Sequence, residues 1–196
     1  MPKVLIQFAH PVFSKSRVQK SLLKQCHDIE GVTINDLYEQ YPDLYIDVKR
    51  EQQLLLQHDI IIFQHPFFWY SGPAIVKQWQ DLVLEYNWAY GPQGMALQGK
   101  KIMAALSCGT AQAAYQSSGR SHYTMDEFLT PFKQTFRLCR MEYLPPFIIY
   151  GTHHITKEAL ENSAVQYGQV IRGLAAGSIT PEHCFDLAHM NDLVIS

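Results

Sequence analysis

Four consecutive aromatic residues, Phe67, Phe68, Trp69 and Tyr70, stand in "QHPFFWYSGP" between an apolar run and the turn-forming Ser71, Gly72 and Pro73. A buried aromatic side chain hides about 150–250 Å², worth roughly 4–6 kcal/mol at about 25 cal/mol per Å². Left in water, the group would make an apolar patch of the size that marks an interaction site. Any one of them can fold inward as core or seal a dimer seam. As a group at a turn they suit a flat conjugated ligand stacked on Trp69 and Tyr70. A second chemical signal lies in "AHPVFSKSR". Ser14 or Ser16 can cap a helix there, and the free N–H groups and positive dipole end of that helix attract an anion, helped by Lys15 and Arg17. One phosphate fits, and an ordinary capped helix start has the same look.

Other chemistries find less support. The stretch after the first apolar run has neither G-x-G-x-x-G nor G-x-x-x-x-G-K-[ST], so dinucleotide binding of the Rossmann type and nucleoside triphosphate hydrolysis are not indicated. Ala9–His10 and Gln64–His65 end two strand-like runs where a phosphoacceptor site would need carboxylates. Cys26, Cys108, Cys139 and Cys184 are far apart and form no C-x-x-C pair, which reads as reduced thiols rather than a zinc or dithiol site. Cys108 is expected to be a small packing residue. His153 and His154 are adjacent, without the H-E-x-x-H spacing of a zinc enzyme. The formal charge of -2 offers no clustered basic stripe for nucleic acid.

The elements that must position these residues follow from the apolar pattern. Lys3–Ala9 and Asp59–His65 are short continuous apolar runs, the signature of strands covered on both faces of a parallel sheet. Gly31–Leu37, Lys100–Ser107 and Pro145–Gly151 read as three more. Helical segments are expected at Ser16–Ile29, Val48–Gln57, Pro73–Tyr86, Met125–Arg140 and Thr156–Ala176, with Pro131 splitting or starting the fourth. This alternation predicts an α/β fold, a flavodoxin-like three-layer sandwich around a five-stranded parallel sheet of order 2-1-3-4-5. In such a sheet ligands bind beyond the carboxyl ends of the strands, where the order reverses, so both chemical signals fall at one crevice. At 196 residues, 47% hydrophobic and 17% charged, the chain suits one domain, 1–176, followed by a C-terminal tail, 177–196, that packs on a neighbour or frays. No apolar run approaches the roughly 20 residues of a membrane span, and the amino terminus lacks the pattern of an export signal. A soluble protein is expected.

"VLIQFAHPVFSKS", "DLYEQYPDLYIDVKREQ", "FQHPFFWYSGPAIVKQWQDLVL", "WAYGPQG", "LQGKKI" and "RMEYLPPFIIYG", in that order and spacing, resemble the flavodoxin-like NAD(P)H:quinone oxidoreductases. They are most similar to the ancillary proteins of glutathione-regulated potassium efflux systems. The resemblance fades after about Thr156. It implies a homodimer that binds FMN, or FAD in larger relatives, takes hydride from NAD(P)H and passes it to a quinone by a ping-pong mechanism. It also implies a cytoplasmic location, or one at the inner face of the cell membrane through a potassium efflux antiporter that the protein activates.

Carried over by motif, His10, Ser16, Arg17, Val18 and Gln19 match the phosphate and ribityl loop, with Gln19 where relatives usually have Asn. Phe67, Phe68, Trp69 and Tyr70 match the loop behind the isoalloxazine. Ser107, Cys108, Gly109 and Thr110 match the loop after the fourth strand. Relatives often have a second Gly at the position of Thr110, so a β-branched residue is expected to carry a backbone cost there if φ is positive. Tyr115 matches a tyrosine of the catalytic pocket, and His122 or Tyr123 its companion. The rival expectation is a regulatory antiporter-binding subunit with flavin as a structural or sensing ligand. A one-electron carrier would present a strongly acidic face, which -2 overall and nine histidines do not support.

Overall fold

The computed structural model describes residues 1–184 and 186–194. Its sheet holds β1 (Val4–Phe8), β2 (Val32–Asp36), β3 (Ile60–Pro66), β4 (Lys101–Ser107), β5 (Glu142–Tyr143) and β6 (Phe147–Ile149). The order is β2-β1-β3-β4-β5, with β6 also on β4 and every pairing parallel. This is the flavodoxin-like arrangement the apolar runs predict. The fifth strand is shorter than expected and comes in two pieces. Glu142 and Tyr143 pair with Lys101 and Ile102, whereas Phe147, Ile148 and Ile149 pair with Ala105, Leu106 and Ser107. Pro145 and Pro146 lie between them, and a residue without an N–H cannot continue a ladder.

The helices are α1 (Arg17–Lys24), α2 (Leu37–Gln40), α3 (Val48–Gln57), α4 (Ala74–Val83), α5 (Met125–Phe128), α6 (Thr130–Leu138), α7 (Lys157–Ala176) and α8 (Pro181–Cys184). The segment expected as one helix from Met125 to Arg140 divides at Leu129. Thr124 and Glu127 form a capping box on α5, and Pro131 occupies the first turn of α6, where its missing N–H costs nothing. Gly177 ends α7 in the left-handed conformation. One core lies under α1 and α7, with Ile6, Phe8, Leu22, Tyr167 and Ile171 fully buried. A second lies under α3, α4 and α6, around Leu5, Phe63, Trp79 and Phe136, and a smaller third gathers Phe67, Leu106, Cys108, Tyr115 and Met125. Strands buried on both faces are what their unbroken apolar runs require.

After α7 the chain returns to its own sheet. Met190 is fully buried, its N–H bonds to Pro146 O at 2.9 Å, and the Asn191 side chain pairs with Ile148 N at 2.8 Å and Ile148 O at 3.1 Å. An amide side chain thus satisfies the open edge of β6 as another strand would. No helix among the described residues is long and apolar enough to cross a membrane.

The second core contains a carboxylate that apolar periodicity gives no sign of. Glu51, on α3, is fully buried. It accepts from Gln7 Nε2 at 2.8 Å, Tyr41 Oη at 2.7 Å, Arg50 Nη1 at 2.7 Å, Trp79 Nε1 at 2.8 Å and Asn35 Nδ2 at 3.0 Å. The charge is tolerated because so many donors replace water. Glu51→Ala should cost about 3–5 kcal/mol, since it leaves buried donors without an acceptor, and Glu51→Gln less. Urea unfolding checks this, and a loss under about 1 kcal/mol would contradict it.

His65, near the end of β3, generates a pH-dependence. Burial pushes its imidazole down to about 4, whereas the unfolded chain takes up that proton near 6.5. Stability from this residue is therefore complete above about pH 6.5 and falls toward pH 4, by about 1.4 kcal/mol per unit. Denaturation between pH 7 and 5 should show that slope in the parent chain and lose it in His65→Leu.

Candidate functional site

The loops after β1, β3 and β4 enclose a cavity of about 450 Å³ at the carboxyl ends of the strands. Its floor is set by a buried polar chain. Gln64 Nε2 donates to Gln19 Oε1 at 2.8 Å, Gln19 Nε2 to Ser107 Oγ at 2.8 Å, and Tyr167 Oη to Gln64 Oε1 at 2.9 Å. These bonds lock the first turn of α1 to the ends of β3 and β4. Ala9 N also donates to Gln64 O at 3.0 Å, holding the first loop to the third strand.

One end of the cavity is cationic. Ser16 caps α1 by accepting from Gln19 N at 3.2 Å, which leaves the Arg17 and Val18 N–H groups at the open first turn. Lys15 and Arg17 line the same end, and Arg17 Nη2 is anchored on Ile155 O at 2.9 Å. His10 Nδ1 accepts from Val12 N at 3.1 Å, so a neutral imidazole carries its proton on Nε2. Burial lowers the His10 pKa. Among the described residues no carboxylate lines the cavity, and the arrangement suits an anion.

The aromatic residues divide by role. Phe67 is buried and meets Tyr115 edge-on at 5.9 Å, while Phe68 meets His10 at 6.1 Å. Trp69 and Tyr70 have φ of 49° and 61°, and Ser71 N closes on Phe68 O at 2.9 Å. That is a type I′ turn, usually made by Asn and Gly. Two bulky residues in the left-handed region cost about 1–2 kcal/mol each. Tyr70 recovers part of this by stacking on Phe128 at 4.9 Å and 22°. Trp69 is 94% exposed and recovers none among the described residues.

The β4 loop carries the last wall. A Cβ on Gly109 would come within 2.3 Å of His153 Nε2, so a side chain there would push the exposed His153 imidazole aside. Thr110 is absent from the left-handed residues, so the backbone cost expected from a β-branched side chain does not arise. The Tyr115 hydroxyl is held above its usual range by burial first and by Cys108 and Tyr70 nearby, with Thr110 facing it and opposing the shift. A phenol so placed keeps its proton at neutral pH and can donate it.

The structure therefore brings His10, Ser16, Arg17, Val18, Phe67, Phe68, Ser107, Gly109, Thr110 and Tyr115 around one cavity. Trp69 and Tyr70 border an adjoining one of about 220 Å³, which shares Phe67, Thr110 and Tyr115 with it. Two side chains expected at the cofactor do not face it. Gln19 is turned into the floor and fully buried, because its amide completes the network below. Cys108 packs in the core, its thiol pushed up to about 12 by burial. His122 and Tyr123 line neither cavity. Tyr123 is 56% exposed and meets Phe128 edge-on at 5.8 Å. Arg120 and Ser121 stand in the adjoining cavity instead. His153, also missed, follows β6, and only the pairing of β6 with β4 reveals its place.

The turn should show opposed effects. Trp69→Gly relieves one left-handed residue without loss of packing and should stabilise the fold by about 1 kcal/mol. The same change should weaken any flat ligand that uses the indole. Unfolding by urea and ligand titration on one sample would measure both, and a loss of stability would contradict the strain.

The family model for the flavodoxin-like fold, Flavodoxin_2, matches residues 2–171. The chain is 41% identical over 168 residues to the glutathione-regulated potassium-efflux system ancillary protein KefG of Pectobacterium atrosepticum, covering 86% of this chain and 92% of that one. The crystal structure of general stress protein 14 from Treponema denticola in complex with FMN is 36% identical, with a TM-score of 0.80 over 90% of this chain and 99% of that one. An NADPH-quinone reductase from P. pentosaceus is 32% identical, with a TM-score of 0.78 over 86% and 96%. With the fold, the strand order and these matches in agreement, the chain belongs to the Flavodoxin_2 family, alongside NAD(P)H:quinone oxidoreductases and potassium-efflux ancillary proteins.

Proposed function

We propose that this chain is an FMN-dependent NAD(P)H:quinone oxidoreductase, and that residues 1–176 form its flavin-binding unit. The observation that carries the reading is a cavity with a cationic helix end at one side and Phe67 and Phe68 at the other, where it adjoins a second cavity bordered by Trp69 and Tyr70. A flavin mononucleotide has that polarity, phosphate at one end and a flat ring at the other. The first turn of α1, Ser16 and Arg17 would hold the phosphate, with Lys15 and His10 beside it. Phe67, Phe68, Trp69 and Tyr70 would supply the ring wall, and Ser107, Gly109 and Thr110 the opposing loop. Bound FMN would supply the ability to accept hydride from a nicotinamide and release it to a quinone.

The rest is done by protein groups. Tyr115 Oη keeps its proton because burial raises its pKa, and it would donate to a quinone oxygen as negative charge develops there. The stiff turn excludes water from one face. A single pocket used in turn by NAD(P)H and quinone gives ping-pong kinetics. A homodimer, a cytoplasmic location and activation of a potassium efflux antiporter complete the reading. They rest on the likeness to KefG at 41% identity. The same likeness favours the second reading, a subunit whose main role is to bind that antiporter with flavin as a sensing ligand.

Protein loaded with FMN and freed of excess should keep the visible flavin band, bleach with NADPH without oxygen, and recover on adding menadione. Tyr115→Phe should keep the flavin and lose about 10²-fold in kcat. Loss of flavin on washing, or no bleaching, would contradict the enzyme reading. If Tyr115→Phe still raises potassium efflux in cells, the two roles are separate.

A further inference from the structure

Behind the aromatic turn, on the side away from the cationic helix end, lies a cavity of about 310 Å³ between α4 and the α5–α6 pair. Phe67, Tyr70, Val76, Phe128 and Phe132 give it an apolar, partly aromatic wall, and Lys77, Gln80 and Thr135 add polar groups to the lining. Tyr70 and Phe128 present a stacked pair there, 4.9 Å apart at 22°. The volume is at the low end of the roughly 300–1,000 Å³ of small-molecule sites.

His65 also lines this cavity and is 5% exposed. Its Nδ1 lies 2.9 Å from Pro66 O. A carbonyl oxygen only accepts, so Nδ1 carries the proton and Nε2 carries a lone pair. Among the described residues Nε2 has no hydrogen-bond partner. Burial holds the imidazole neutral, with a pKa of about 4, so that lone pair is present at any physiological pH. Gly72 packs on the ring, and a Cβ there would come within 2.9 Å of His65 Cε1. The imidazole is thus fixed by the β3 backbone and the turn, with one acceptor unused. Nε2 is not sealed from solvent, since the buried side-chain polar atom left without a partner among the described residues is Tyr143 Oη, and nothing in the proposed electron transfer employs this lone pair.

We propose that this cavity is a second binding site, for a flat, neutral aromatic molecule bearing one hydroxyl donor, a phenol or naphthol, whose O–H is accepted by His65 Nε2. The aromatic walls select flat rings. The lone pair selects a donor over an ether or a carbonyl. A ligand here would touch Phe67 and Tyr70 from behind the candidate flavin pocket without entering it. The site does not depend on the flavin reading.

The test compares 2-naphthol with 2-methoxynaphthalene by calorimetry and ligand-observed NMR, on the full chain with and without saturating FMN. 2-Naphthol should bind about 10-fold more tightly than its methyl ether, and FMN should not displace it. His65→Leu should abolish the preference, while His65→Gln, which keeps an acceptor, should retain part of it. Circular dichroism on each variant separates loss of the site from loss of the fold. Equal binding of the two probes, displacement of 2-naphthol by FMN, or no binding because a second copy of the chain fills the cavity would each overturn the proposal. Failure of FMN to bind would sink the flavin reading and leave the naphthol result standing.

Discussion

The candidate site depends on a buried chain of side-chain amides and hydroxyls. Gln19, Gln64, Ser107 and Tyr167 come from α1, β3, β4 and α7, and their bonds of 2.8–2.9 Å join those elements directly beneath the cavity. Apolar packing is tolerant of small shifts, whereas an unmet buried amide costs about 1–3 kcal/mol. The network therefore fixes where α1 begins relative to the ends of the strands. That position places the open N–H groups of α1 and the cations beside them at one end of the cavity. Gln19 contributes through what it supports, with its side chain facing away from the ligand volume.

A second constraint is stored strain. Trp69 and Tyr70 occupy a turn that Asn and Gly would make at lower cost, and among the described residues Trp69 gains almost no burial for it. A conformation held against local preference, with a large ring left in water, has its explanation outside the isolated fold. Phe67 anchors one end of the turn in the core and Ser71 closes the other. The turn is stiff, and a stiff wall loses little entropy when a flat ring settles on it.

The sheet was legible because strands covered on both faces must be apolar throughout, and Val4–Phe8, Ile60–Pro66 and Lys101–Ser107 are nearly so. The crevice followed from strand order. What apolar pattern cannot show is polar burial. Glu51 lies in "KREQQ" with every sign of a solvated helix residue, yet it organises one core. Direction is equally hidden, since Gln19 and Val18 are neighbours and only Val18 lines the cavity. His153 and Asn191 act across the sheet from segments without regular period, so their partners appear only once β6 is placed on β4. The break in the fifth strand was written in Pro145–Pro146, although its register on β4 was not.

In the flavin reading, a phosphate sits at the start of α1 and a flat ring at the aromatic turn, across two cavities that adjoin at Phe67, Thr110 and Tyr115. Equilibrium titration with FMN and with riboflavin, which lacks the phosphate, tests this most directly. FMN should bind about 10- to 100-fold more tightly, as charge-assisted hydrogen bonds to one phosphate require, and the difference should shrink as salt is raised. Equal affinities for the two, or no binding of either, would contradict the account.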